Sequence, residues 1–186
     1  MKKVILMVLI FLFTLSTAEA VEVAGVNVPD TISAGEDELV LNGGGARKKF
    51  FMKMYVGALY LLKPGSSAEK IIKADESMAI TLHITSSMIT SERMEEATRE
   101  GFTNSTGGDK APIKDEIEEF ISVFKEKISE KDVFELVYSP GKGVEVFKNS
   151  SSKVVIKGLE FKKALFGIWL CDKPAQKSLK NNMLGK

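Results

Sequence analysis

Of its 186 residues the chain spends one on cysteine, one on histidine and one on tryptophan. A single thiol, Cys171, cannot close an internal disulfide, so stability must come from a packed core. Following Trp169 and Leu170, it reads first as a small buried hydrophobe and second as a thiol for intermolecular pairing. A single histidine, His83, with no cysteine cluster, argues against a zinc site of the usual kind, and no metal is expected. It also has no nucleophile motif nearby with which to build a hydrolytic triad. Charge of one sign is missing too: 26 Lys and Arg stand against 25 Asp and Glu. Without a basic excess to release counterions, nucleic acid is not an expected partner. Gly43-Gly44-Gly45 is followed by no Gly-Lys-Ser/Thr and opens no Gly-x-Gly-x-x-Gly helix, so no phosphate loop and no cofactor are expected.

What is present begins with a leader. Lys2 and Lys3 precede an apolar run at residues 4–15, and Ala18-Glu19-Ala20 has the small-x-small form of a cleavage site. Cleavage after Ala20 is expected, because the run is shorter than the roughly 17–25 residues of a spanning helix. Losing Lys2, Lys3 and Glu19 leaves 24 basic and 24 acidic side chains. No later segment is apolar enough over sufficient length to span a bilayer, so a soluble, exported mature chain is expected, in the periplasm first and the medium second. The site carries no lipobox cysteine, which argues against a lipoprotein.

Residues 21–186 show no linker or repeat and read as one domain. Residues 21–29 alternate and stop at Pro29, as an opening strand would. Residues 39–41 begin a second strand, which the glycines are expected to end as a flexible turn. A long third strand is expected over residues 50–62. At residues 79–85, Ile80, Leu82 and Ile84 share one face and Thr81, His83 and Thr85 the other. Thr90 or Ser91 can cap a first helix. A second follows Pro112, with Ile113, Ile117, Phe120, Ile121, Phe124 and Ile128 in one apolar stripe. Strands at 133–138 and 144–148 flank a turn-rich loop, and another follows at 154–156. Helical spacing returns at Leu159 and breaks at Asp172-Lys173-Pro174, before a short last helix. This order predicts an α+β domain, with helices on one face of a largely antiparallel sheet.

Arg47 carries a permanent charge and a planar donor fork suited to a carboxylate. Beside Lys48 and Lys49 it can equally be a solvated loop arginine. Tyr55 and Tyr60 sit in an otherwise apolar strand. A tyrosine there is either core or a ligand wall with a polar tip.

Gly43-Gly44-Gly45-Ala46-Arg47, followed by Lys53-Met54-Tyr55-Val56-Gly57-Ala58-Leu59-Tyr60-Leu61, resembles the signature of the chalcone isomerase-like superfamily, in particular its bacterial, exported branch. Leu165-Phe166-Gly167-Ile168-Trp169-Leu170 resembles that family's closing helix. The resemblance implies an open-faced β-sandwich with a ligand cleft between the large sheet and the helices. It implies that Arg47 holds a fatty-acid carboxylate, as in lipid-binding members, or activates a chalcone carbonyl, as in true isomerases. Tyr55 resembles the lipid-binding members, since isomerases carry threonine at the equivalent place. Isomerases also use a tyrosine and an asparagine where this chain has Thr90 and Ala97. Phe166 and Trp169 are further candidates for the cleft. Gly167, about 1 kcal/mol less favourable than alanine inside a helix, suggests close approach of a strand or a ligand chain. Three functions stay open: a non-catalytic binder of fatty acid or a similar amphiphilic carboxylate using Arg47, Tyr55, Tyr60, Phe166 and Trp169, an isomerase-type lyase with Arg47 as electrophile, and an envelope interaction module with a vestigial cleft.

Overall fold

The computed structural model describes residues 20–186, so all of the expected leader except Ala20 lies outside the described residues. Residues 21–29 form a hairpin rather than one strand. β1 (Ala20–Val23) pairs antiparallel with β2 (Val26–Pro29). The chain reverses at Ala24 and Gly25, both at positive φ.

Seven further strands form one antiparallel sheet in simple chain order. They are β3 (Thr31–Ala34), β4 (Asp37–Lys49), β5 (Met52–Leu61), β6 (Met78–Ile84), β7 (Val133–Ser139), β8 (Gly143–Lys148) and β9 (Ser151–Ile156). The connections carry the helices. α1 (Ala68–Lys73) joins β5 to β6, while α2 (Ser91–Ser105) and α3 (Lys114–Ser122) lie between β6 and β7. α4 (Leu159–Leu170) and α5 (Lys177–Met183) follow the last strand. The α+β architecture expected from the sequence is therefore the one observed.

Period-two alternation decides what each face meets. Met78, Ile80, Leu82 and Ile84 of β6 join Phe134 and Leu136 of β7 in the main core beneath the helices. Thr81 and His83 face the other way, and His83 Nε2 has no hydrogen-bond partner among the described residues. Five phenylalanines knit the helices to the sheet. Phe120 meets Phe102 and Phe124 edge to face, with ring centroids 6.1 and 5.3 Å apart, and Phe124 meets Phe134 at 5.6 Å. Phe161 of α4 closes the group, 5.8 Å from Phe102. Edge-to-face pairs add to area burial because ring edges and faces carry opposite partial charge.

The glycine triplet does not turn. β4 runs straight through Gly43, Gly44 and Gly45, which pair with Leu59, Ala58 and Gly57 of β5. The reason is α5, which lies directly on this stretch. A Cβ on Gly43 would overlap the Asn182 carbonyl, and one on Gly45 would come within 2.5 Å of Asn182 Nδ2. A bulge between Leu41 and Gly43 turns Asn42 aside. Its amide donates to Met183 O at 2.7 Å and Gly65 O at 2.9 Å, fastening α5 to the strand.

Candidate functional site

The reversal from β4 to β5 sets Arg47 directly opposite Tyr55. Their separation of eight residues in the chain thus becomes one rung of a ladder. The half-buried guanidinium lies 5.9 Å from the Tyr55 ring centroid, within reach of a cation–π attraction. Tyr55 is 5 % exposed, and its hydroxyl accepts a 2.9 Å hydrogen bond from Trp169 Nε1 of α4. The indole can only donate, so this bond leaves the phenol proton for another acceptor. Burial raises the phenol above its ordinary value, with Arg47 and the Trp169 bond acting in the opposite sense. At neutral pH Tyr55 is therefore a donor.

The pair stands at the side of a cavity of about 260 Å³ between sheet and helices. Met54, Leu82, Phe134 and Leu136 supply its sheet wall, and Met94, Ile168 and Phe124 its helical wall. Arg47, Lys49 and Arg93 bring positive charge to the lining, with Glu96 and Glu100 of α2 also present. Arg93 Nη1 donates to Met88 O at 2.9 Å and so braces the loop leading into α2. A cavity with apolar sheet and helix walls, a charged rim and the Arg47–Tyr55 pair side by side can orient an anionic head while enclosing a hydrocarbon body.

Of the expected site residues, Arg47, Tyr55 and Trp169 come together here. Tyr60 does not. It lies on the opposite face of β5 and is fully buried against Leu39, Ala58 and Ala79, with its hydroxyl donating to Pro29 O at 2.9 Å. Phe166 is also absent from the lining. It is buried on another side of α4, with its ring centroid 5.4 Å from the Lys162 ammonium. The close neighbour of Gly167 is α2, since a Cβ there would meet Ser105 Cβ at 2.8 Å. Thr90 caps α2, its hydroxyl accepting from Arg93 N at 3.3 Å, and Ala97 offers only a methyl to the cavity. His83 and Cys171 are not part of the lining. Among the described residues no cluster of His, Cys, Asp or Glu could hold a metal ion.

Beyond Ala97, the contribution of α2 escaped the sequence. Met94, Thr98 and Gly101 also face the cavity, and their three- and four-residue spacing marks one helix face. Gly101 on that face lets α4 approach, since a Cβ would come within 2.7 Å of Ile168.

A curled antiparallel sheet, a helical layer and a cleft rimmed by charges of both signs together describe an open-faced α+β fold. The model of the chalcone isomerase-like family matches residues 20–185, and the chain belongs to that family. A comparison with curated protein sequences gives no match. Among solved structures, the chain resembles the crystal structure of a fatty-acid binding protein from Arabidopsis thaliana. The TM-score is 0.70 at 19% identity, covering 89% of this chain and 96% of that one.

Proposed function

We propose that this protein is an exported, non-catalytic binder of a fatty acid or a similar amphiphilic carboxylate. The observation that carries the proposal is the juxtaposition of Arg47 with the spare phenol proton of Tyr55 beside an apolar cavity. The guanidinium holds one side of the carboxylate and the phenol donates to it, while the hydrocarbon lies between the sheet and α2. The plant fatty-acid binding protein of the same fold supports this reading. The positions at which isomerases would place a tyrosine and an asparagine hold an N-cap and a methyl group, which favours binding over ring closure. The proposed cut after Ala20 falls within the first rung of β1 and leaves every later pairing in place.

The test is mass spectrometry of the organic material released on denaturing the purified chain, run beside Arg47→Ala. A stoichiometric fatty acid in the wild type, depleted in the variant, supports the binder. An empty wild type that consumes chalcone in an absorbance assay overturns it in favour of the lyase. N-terminal sequencing of the exported protein is expected to begin at Val21.

A further inference from the structure

β4 and β5 are joined by the tightest kind of hairpin. Lys48 pairs with Lys53 and Lys49 with Met52, so Phe50 and Phe51 alone make the turn. Phe50 holds φ at +56°. A first turn position of positive φ is one that glycine or asparagine fills without strain, and a bulky aromatic there is costly. Nothing inside the fold compensates, because Phe50 is 81% exposed and Phe51 102%. Met52 beside them is 42% exposed. Lys48 and Lys49 are exposed as well, and Lys53 is tied back to the Ala24 carbonyl of the β1–β2 turn. The molecule thus ends in two protruding aromatic rings on a basic collar. Three residues from the tip, about 10 Å along the strand, is Arg47.

We propose that this tip docks on an anionic lipid bilayer, with Phe50 and Phe51 entering the boundary between headgroups and acyl chains. Rings and collar match the two layers they would meet, hydrocarbon beneath and phosphate above. Carboxylates on the neighbouring cleft wall, Glu96 and Glu100, belong to α2 rather than the hairpin. Docking in this pose turns the rim that bears Arg47 and Lys49 toward the membrane, where an amphiphile is stored or delivered. The assignment does not depend on what the cleft holds.

The chain from Ala20 onward, which contains the whole fold described above, is sedimented with vesicles of equal parts phosphatidylglycerol and phosphatidylcholine, and with phosphatidylcholine alone. Wild type is expected to bind the anionic vesicles more strongly, and less as salt rises. Phe50→Asn with Phe51→Ser is expected to weaken that binding about tenfold or more, the effect of withdrawing two partly inserted rings. The same double variant should unfold at a midpoint no lower than that of wild type, since asparagine suits the positive φ at residue 50, and should keep its affinity for dodecanoate. Wild type that stays in the supernatant, or a double variant that binds as wild type does, overturns the docking. So does a wild-type dimer that the double variant disperses in the absence of vesicle binding. Dodecanoate titration of the wild type reports separately on the cleft, so either reading can fail while the other stands.

Discussion

At the scale of single residues, the site is a division of labour between Arg47, Tyr55 and Trp169. Arg47→Ala removes charge-assisted bonds, and a loss of about 1.5–3 kcal/mol of fatty-acid affinity is expected by calorimetric titration. Tyr55→Phe removes one neutral donor and strands the Trp169 N–H, so a smaller loss of about 1 kcal/mol is expected in the same titration. The indole bond and the Arg47 ladder rung were not legible in the sequence, because they join residues through tertiary contacts. The placement of Tyr60 away from the cavity was legible in the sequence. Five residues separate it from Tyr55, an odd number, and a strand sends odd neighbours to opposite faces. Phe166 differs, since it lies three residues from Trp169 and helical spacing alone does not separate their surroundings. Lys162 is the residue that sequence patterning could least anticipate. It is fully buried, and its ammonium donates to Ile71 O, Ile72 O and Ala74 O at 2.9, 3.0 and 2.7 Å. These carbonyls lie at the end of α1, where the helix leaves acceptors without partners. Lys162→Met is expected to lower unfolding free energy by about 2–4 kcal/mol, read from the urea midpoint.

At the scale of elements, Ile117, Phe120 and Ile121 of the expected stripe lie in α3, but the helix ends at Ser122 and Ile113, Phe124 and Ile128 fall outside it, while the alternation along β6 gave both faces of the central strand. The turn-rich loop before Gly143 gave the β7–β8 hairpin. What escaped was β4. Glycines in succession suit a turn when only neighbours in the chain are considered, yet here they make room for a helix more than a hundred residues later. Asn182 rests on that wall, and Gln176, just before α5, accepts from Lys48 N at 2.8 Å. Gly43→Ala therefore pushes backbone against backbone, with no flexible side chain to yield. A destabilisation of about 1–3 kcal/mol is expected in urea unfolding, together with weaker amide-exchange protection in α5.

At the scale of the whole molecule, the cleft couples a charged rim to an apolar interior, and the two parts answer to different variables. Lengthening a saturated acid by one methylene should strengthen binding by about 0.8 kcal/mol until the tail fills the cavity. Affinity that ignores chain length would discard the enclosed-tail arrangement. Acidity acts on the rim. Below about pH 4–5 the carboxyl of the proposed fatty-acid ligand would take up a proton and leave Arg47 without a partner, so binding should fall there. Burial keeps the Tyr55 proton in place above the ordinary phenol range, so no loss from that group is expected at neutral or mildly alkaline pH. Among the described residues no helix is long and apolar enough to cross a bilayer. The seven-stranded meander has one consequence in time. Each strand pairs with the one made just before it, so the sheet can assemble in step with synthesis. α5 emerges after every strand of the sheet, and until it arrives the glycine wall beside Arg47 stands bare. A chain cut short by ten residues would keep its sheet and lose the clasp on the strand that bears Arg47.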